Sequence, residues 1–418
     1  MIHRDQSRSA TPPSRRLVIA ALAAVLLVFT VVTPNASAQT YTILYTFQGQ
    51  SDGGFPQGGL YRDSSGNLYG ITNTAGNRND CNNYGCGTVY KLDPSGQLTV
   101  LHTFTGGADG WPNATWGSLI PDPAGNLYGM ASIGGLYDNG TIFRVTPSGG
   151  FTVIHTFPSS PNDGLGPQFT LLRDSTTGIM YGTTFGGGPG GYSGYGTVYA
   201  LSRAGVSSDV VLHAFDYNDG ALPQGSVATD GQGNLYGTAG QGGTSDCGTA
   251  FKMRNTGAGY TVLHNFTCAP DGYFPGSVVL DAQGNIYGGT QAGGDVRACP
   301  FEGCGIIFKI SASGQYSILH TFHGTEGGVP NELMFDANGL LWGTTAGGGA
   351  HDQGTIFTIT TDGTYTDVYD FQGGTRGGVP YAGLIEDSQG NFYGTVGGGI
   401  LACIQSGCGM IFKFTPAQ

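Results

Sequence analysis

Six carboxylates recur at one place in this 418-residue chain. Each stands in an acid–Gly step that follows a Phe-ended segment and precedes a Pro: Asp52, Asp109, Asp163, Asp219, Asp271 and Glu326. In a seventh copy of the same segment the acid is replaced by Arg376. Such carboxylates can coordinate a hard cation such as calcium, or accept hydrogen bonds from sugar hydroxyls. Aromatic residues interleave with them, among them Phe55, Trp111, Trp116, Tyr137, Tyr192, Tyr195, Tyr273 and Phe274. A sugar ring can lie its apolar face on an aromatic plane. The combination reads as a polysaccharide-binding surface, with Asp52, Asp109, Trp111, Asp163, Asp219, Asp271 and Tyr273 as the expected ligand contacts. The structural alternative is an Asp–Gly turn followed by a Pro that starts the next strand.

Two histidines stand apart from any repeat, His323 and His351, and each lies close in sequence to an acid, Glu326 and Asp352. Two imidazoles and two carboxylates on neighbouring loops can bind a divalent metal or act as acid and base. They are the candidates for catalysis; no other set converges, and no catalytic residue or resident metal is assigned. Five further histidines, His102, His155, His213, His264 and His320, recur in one register, with Tyr45 and Tyr369 in the same place elsewhere. Equivalent residues of separate repeats cannot meet at the distance of about 2 Å that a metal requires. Replacement by Tyr suits a packing role with a polar tip. Lys91, Arg144, Lys252, Lys309 and Lys413 recur after a strand aromatic and are expected to pair with nearby turn acids. Gly186–Gly191 lacks the Lys-Ser/Thr of a phosphate loop.

The elements that must position these residues repeat seven times, about 50 residues apart. Each copy has a Gly-x-x-Tyr/Trp-Gly element (Gly66–Gly70 is the first), a Gly-x-x-Phe/Tyr strand (Gly87–Tyr90) and a strand ending in Phe. The terminal Phe residues are Phe47, Phe104, Phe157, Phe215, Phe266, Phe322 and Phe371. Four short strands fit in each copy. In the first, strand A falls near Gly59–Arg62, B near Asn67–Thr72, C near Thr88–Leu92 and D near Leu98–Phe104. The A–B turn carries an Asp whose side chain bonds amides ahead of it, Asp63 and its equivalents Asp122, Asp174, Asp230, Asp281, Asp336 and Asp387. Gly and Pro make up 97 of 418 residues, but at repeating positions, so they mark turns rather than disorder.

Four strands per repeat, seven times, predict an all-β, seven-bladed β-propeller. The blades span about 56–104, 112–157, 167–215, 223–266, 275–322, 330–371 and 380–414. The segment Tyr41–Phe47 is a D-type strand without a repeat of its own, and Met410–Phe414 is a C-type strand with no D strand after it. The first should complete the last blade and close the ring, hiding two sheet edges. Alternating strand direction puts the D–A and B–C loops, and with them the acids, on one face.

Residues 1–38 read as a secretory signal peptide: basic Arg4, Arg8, Arg15 and Arg16, an apolar run from Leu17 to Val32, and the cleavage site Ala36-Ser37-Ala38. The run of 16 residues is short for a membrane span, which needs roughly 20. The remaining chain, 39–418, keeps 12 of 16 basic and 27 of 28 acidic residues, a net charge of −15, and no basic patch. Nucleic acid is excluded as a partner on that charge, and no membrane span is expected in the mature chain. Eight cysteines in an exported chain favour disulfides over a metal site. The expected pairs are Cys81–Cys86, Cys299–Cys304 and Cys403–Cys408, each just before a strand C, and Cys247–Cys268.

The pattern Asp-x-x-Gly-Asn-Leu-Tyr-Gly, a Gly-rich loop, Gly-Thr-Val-Tyr/Phe-Lys-Leu and Leu-His-x-Phe resembles the GloVer (Gloeobacter/Verrucomicrobia-type) tandem repeat family across Tyr41–Phe414. That resemblance implies exported bacterial proteins of propeller-like repeats, often with a C-terminal anchor, and brings no catalytic residues. Thr415–Gln418 leaves no room for such an anchor, so an extracellular or periplasmic protein is expected. Together these readings point to an exported binding module for carbohydrate or cell-envelope material. The alternatives are a polysaccharide hydrolase or lyase with its site on blade six, and a structural envelope or matrix protein.

Overall fold

The computed structural model describes residues 38–158, 163–202, 209–299, 303–397 and 408–417. Cys403 and the expected signal peptide, save Ala38, lie outside these. The described residues form seven antiparallel sheets arranged as the blades of a propeller, with no α-helix among them. No helix among them is long and apolar enough to cross a membrane.

Six of the blades run A–B–C–D in sequence order, and the last takes its outer strand from the N-terminal end of the described chain. In the first, the strands are Tyr61–Arg62, Leu68–Thr72, Thr88–Leu92 and Leu98–Thr103. Strand A is the shortest, and the chain just before it is pressed against the next blade. A Cβ on Gly58 would lie 2.6 Å from the carbonyl oxygen of Gly117. Strand C is buried on both faces, as Thr88, Val89, Tyr90 and Leu92 are.

The ring closes as expected. Thr40–Thr46 pairs antiparallel with Met410–Thr415 in the last blade, in the place of a strand D. It also reproduces a detail of the other D strands. In blade one the register slips at Leu101, between the pairs Tyr90–Val100 and Val89–His102. In the closing strand it slips at Leu44, between Phe412–Ile43 and Ile411–Tyr45. A bulge of this kind re-aims the following side chain, which is His102 in one strand and Tyr45 in the other.

The core is seven clusters, each shared by two neighbouring blades. At each junction the Phe that follows strand D stands edge-on to the strand C aromatic of the next blade. Ring centroids are 5.3 Å apart for Phe104–Phe143, 5.2 Å for Phe266–Phe308 and 5.1 Å for Phe47–Tyr90 across the closure. Each such pair contributes about 0.5–1.5 kcal/mol beyond the area it buries. The second Gly of the Gly-x-x-Tyr-Gly element makes room for that aromatic: a Cβ on Gly129 would lie 2.6 Å from Cζ of Phe143.

The A–B turns are tied by their aspartates. Asp63 Oδ1 accepts from the Ser65 and Asn67 amides, and Oδ2 from Asn67 Nδ2 and the Tyr69 hydroxyl. The hydroxyl link joins the turn to strand B, and in blade six Trp342 Nε1 replaces it at 3.1 Å from Asp336 Oδ2. Burial alone would raise these carboxyls, but the hydrogen bonds outweigh it. Asp63, Asp122, Asp230, Asp281 and Asp387 are all held below the ordinary aspartate value of 3.8. A depressed folded-state pKa means stability that is present above the unfolded pKa and lost as pH falls through the folded one. Melting temperatures should therefore fall steeply as the pH drops below about 4. Unchanged melting between pH 5 and pH 2.5 would contradict this account.

The basic residues that follow the strand C aromatic do not pair with those acids, whose oxygens are already occupied by their own turns. Instead Lys252, Lys309 and Lys413 lie over the strand B rings of Tyr236, Tyr287 and Tyr393, at 5.2, 5.3 and 5.9 Å from the centroids. Cys81–Cys86, Cys247–Cys268 and Cys299–Cys304 are disulfides. No described cysteine is free.

Candidate functional site

D–A and B–C loops share a face, as bridges Gly54–Thr74, Trp111–Ile133 and Ala221–Gln241 show. The acids on that face are engaged within their own blades. His102 Nε2 is 3.0 Å from Asp109 Oδ2, His213 Nε2 2.8 Å from Asp219 Oδ2 and His264 Nε2 3.0 Å from Asp271 Oδ2. Tyr45 does the same for Asp52 at 3.2 Å. Loop amides bind the same carboxylates, such as Thr105 N on Asp109, Thr267 N on Asp271 and Gly164 N on Asp163. Burial would raise Asp109 and Asp271, but the hydrogen bonds led by His102 and His264 hold both below the usual aspartate value.

The repeated histidines also clamp the blades together. Four of the five imidazoles re-aimed by the strand D bulge stack on the first aromatic at the next blade's strand D. His102 lies 3.6 Å from Phe151, His213 3.7 Å from Tyr260, His264 3.7 Å from Tyr316 and His320 4.0 Å from Tyr365, all nearly parallel. Tyr369 on Tyr41, at 4.7 Å, is the equivalent across the closure. The clamp is latched by tyrosine hydroxyls, Tyr260 donating to the Asp219 carbonyl and Tyr316 to that of Asp271. The acids therefore bond to the outermost strand of each blade and are not gathered at the axis.

Trp111 sits between blades one and two, its Nε1 donating to the Asn73 carbonyl. Tyr273 stacks on Phe274, ring centroids 3.7 Å apart. On blade six, His323 Nδ1 is 3.1 Å from Glu326 Oε1, and His320 Nε2 is 3.7 Å from the same oxygen. His351 and Asp352 are exposed, and neither bonds to that pair; Asp352 accepts from the Gly348 amide. Among the described residues no group of three or more His, Cys, Asp or Glu is placed to hold a metal ion.

What does converge lies on the axis, where the chain enters the A strands. Gly59, Ser118, Thr170, Ser226, Ser277, Glu332 and Gly383 hold one register position, four residues before the turn Asp in each repeat. They touch around the ring: the Ser118 amide donates to Thr170 Oγ1 at 2.8 Å and the Ser226 amide to Ser277 Oγ at 3.1 Å. Six of the seven are small. The seventh, Glu332, takes a hydrogen bond from Ser277 Oγ at 2.6 Å and a longer one from Ser226 Oγ at 3.5 Å, so three blades meet at one carboxyl. Enclosure by those blades pushes its pKa above the ordinary glutamate value, against the pull of the two serines.

Glu332 lines a small axial cavity of about 30 Å³, enough for one or two water-sized groups. One side is aromatic, with Trp116, Phe169 and Tyr381; the other is polar, with Gln224, Gln291 and Glu332. Phe55 extends the aromatic side, 5.8 Å from Tyr381. Trp116 Nε1–H is buried without a hydrogen-bond partner. Neither Gln224 nor Gln291 forms a side-chain hydrogen bond among the described residues. The site thus offers stacking planes, open amides, an unsatisfied donor and a carboxyl.

The repeat described as Gloeobacter/Verrucomicrobia repeat matches residues 28–193, 79–300 and 300–418. The chain belongs to that family. This Gloeobacter/Verrucomicrobia repeat protein matches none of the curated proteins. Among solved structures it is similar to the extracellular domain of a protein described as a hybrid two-component system from B. thetaiotaomicron. The identity is 13%, the TM-score 0.55, and the match covers 91% of this chain and 41% of that one. It is also similar to an oligogalacturonate lyase in complex with manganese, at 12% identity and TM-score 0.50, covering 91% of this chain and 97% of that one. At such identities the likeness is one of fold.

Proposed function

We propose that this repeat protein is an exported binding module whose ligand, a carbohydrate or a carbohydrate-bearing envelope component, docks at the mouth of the axial cavity and places one or two hydroxyl-sized groups inside it. The observation that carries the reading is the division of the cavity wall. Trp116, Phe169 and Tyr381 offer planes for the apolar face of a sugar, and Gln224, Gln291 and Glu332 face them with hydrogen-bonding groups. Sugar sites combine such features, because a pyranose has an apolar face and a polar rim. The unpartnered Trp116 Nε1–H gives one donor that a hydroxyl would satisfy. Disulfides at the B–C loops suit an oxidising compartment outside the cytoplasm. Glycoside hydrolysis ordinarily uses a pair of carboxylates, and Glu332 is the one carboxylate among the described residues of the cavity wall. Binding is therefore favoured over turnover.

The test is a glycan and polysaccharide array probed with the labelled chain 39–418, followed by titration calorimetry on the glycans it retains. Trp116→Ala should weaken binding by about 2 kcal/mol, roughly thirtyfold. The double variant His323→Ala with His351→Ala should leave affinity unchanged. Binding should be equal with calcium or a chelator, since the rim acids are engaged within their blades. If the folded protein retains no glycan, or if Trp116→Ala binds as tightly as the parent, the axial reading is overturned. Release of reducing ends that the histidine variant abolishes would favour the enzyme on blade six.

A further inference from the structure

The opposite face, where the A–B and C–D turns lie, holds a second and larger cavity. It opens between blades two and three, has a volume of about 300 Å³, and is lined by Asp122, Tyr128, Arg144, Arg173 and Met180. That is the lower end of the range for small-molecule sites. Two of the chain's few cations face it. Arg144 follows the strand C aromatic of blade two, and Arg173 ends strand A of blade three (Leu172–Arg173).

Neither guanidinium is held by a direct hydrogen-bond or ion-pair partner, although Arg173 lies near enough to its neighbour Asp174 to help lower that carboxyl. At the equivalent junction between blades seven and one, Arg62 and Lys413 lie over the Tyr393 ring, at 5.6 and 5.9 Å. Lys252 and Lys309 cover tyrosines of their own blades. Neither Arg144 nor Arg173 covers a ring, forms an ion pair or donates a hydrogen bond among the described residues. Arg144 Nε is buried with no partner. A buried, unsatisfied charged donor is costly in a protein interior, and it marks a place where an acceptor belongs.

The carboxylate in the cavity does not fill that place. Asp122 Oδ1 accepts from the Ala124 and Asn126 amides, and Oδ2 from Asn126 Nδ2 and the Tyr128 hydroxyl. Its four acceptor positions are used by its own turn. The two arginines nonetheless lie close to this hydroxyl: burial and Asp122 raise the Tyr128 phenol, and Arg144 and Arg173 both pull it down. The arrangement is two positive forks beside one phenol, in a cavity on a chain whose net charge is otherwise negative.

We propose that this groove is an oxyanion-binding site, in which Arg144 and Arg173 hold a carboxylate, sulfate or phosphate group borne by a small or glycan ligand. Arginine binds such groups through two parallel N–H bonds, and the Nε–H left open in Arg144 is one half of such a fork. The site is separate from the axial cavity and stands whether or not that cavity binds sugar.

The experiment is titration calorimetry of the chain 39–418 at low ionic strength with three probes: galacturonate, inorganic sulfate and inorganic phosphate. Saturable one-site binding of at least one is expected, weakening as salt is added. Preference for galacturonate would indicate an acidic sugar, and preference for sulfate or phosphate an ester. Arg144→Gln and Arg173→Gln should each lose about tenfold or more in affinity, and Arg173→Lys should retain part of it. Trp116→Ala should bind the anion as the parent does, and Arg62→Gln, at the equivalent junction, should as well. Melting curves would show that each variant is folded. Absence of saturable binding of all three probes by the folded parent overturns the proposal, as does equal binding by both Arg→Gln variants.

Discussion

Removal of residues 39–47 should convert a monodisperse protein into one that self-associates. The segment contributes the whole outer strand of the last blade, and six residues of it pair with Met410–Thr415. It also contributes Phe47, wholly buried against Tyr90, and Tyr41, stacked on Tyr369 and in contact with Phe412. Burying each large side chain stabilises by about 1.5–3 kcal/mol. Loss of Tyr41, Ile43, Tyr45 and Phe47 together approaches the net stability of a whole domain, about 5–15 kcal/mol. What remains is worse than a missing strand. Met410, Ile411, Phe412 and Phe414 are buried in the intact ring, and truncation leaves their strand as an open, apolar edge. Size-exclusion chromatography with light scattering should show oligomers, and the melting temperature should fall. A synthetic peptide of residues 38–48 added in trans should reverse the self-association. A truncated chain that stays monomeric with an unchanged melting curve would mean that the ring is held by something other than this strand.

Most of the architecture was legible in the sequence because a propeller repeats its constraints. The Gly, Tyr and Phe positions recur seven times, so strand B, strand C, the closing strand and the local cysteine pairs could be read from period and alternation. The rim was harder. The acids Asp109, Asp271 and Glu326 read as open carboxylates of a ligand-binding surface, whereas they bond His102, His264 and His320 or their neighbours. The signal was present as a short interval, six to eight residues, from the strand D His or Tyr to the loop acid. What it lacked was the bulge before the imidazole, which turns that side chain toward the acid and the next blade. Blade six illustrates the converse. His323 and Glu326 are close in sequence and meet, but sharing a loop face did not bring His351 and Asp352 to them. The axial site left a fainter trace. Glu332 is one charged residue in a register otherwise held by Gly, Ser and Thr, and it stands out only once the seven copies are aligned on their turn aspartates. Which copies face each other across the axis, and hence that Trp116, Phe169 and Tyr381 oppose Gln224 and Glu332, follows from ring closure and not from any local pattern.

Gly87→Ala should be among the most destabilising single changes available in this protein, and Gly96→Ala, with the same backbone angle, should be mild. Both glycines have φ near +86°, at 86° and 87°. An alanine in that region costs roughly 1–2 kcal/mol from its own backbone, and the two substitutions share this cost. They differ in surroundings. Nothing lies within 4 Å of a Cβ built on Gly96, which sits in the exposed C–D turn. A Cβ on Gly87 would overlap the carbonyl oxygen of Thr72, with the Thr72 carbonyl carbon 2.8 Å away. That obstacle is backbone, part of the strand B ladder that pairs Thr72 with Thr88, so it cannot rotate aside. Either the first pair of the B–C ladder opens or the strand shifts as a unit. A shift would disturb Val89 and Tyr90 behind it, both fully buried at the junctions with the neighbouring blades. Gly87→Ala should therefore lose more than about 4 kcal/mol, the range reserved for severe steric or burial defects, and Gly96→Ala no more than about 2. Parallel chemical denaturation of the two variants measures the difference. The same contrast should hold wherever a repeat's strand C begins, since a Cβ on Gly305 or Gly354 would meet the carbonyl oxygen of Thr290 or Thr345 in the same way. Equal destabilisation by Gly87→Ala and Gly96→Ala would show that the recurring Gly of Gly-x-x-Phe is there for its backbone angle alone. A large difference would show that it is there because strands B and C approach too closely at that point for any side chain.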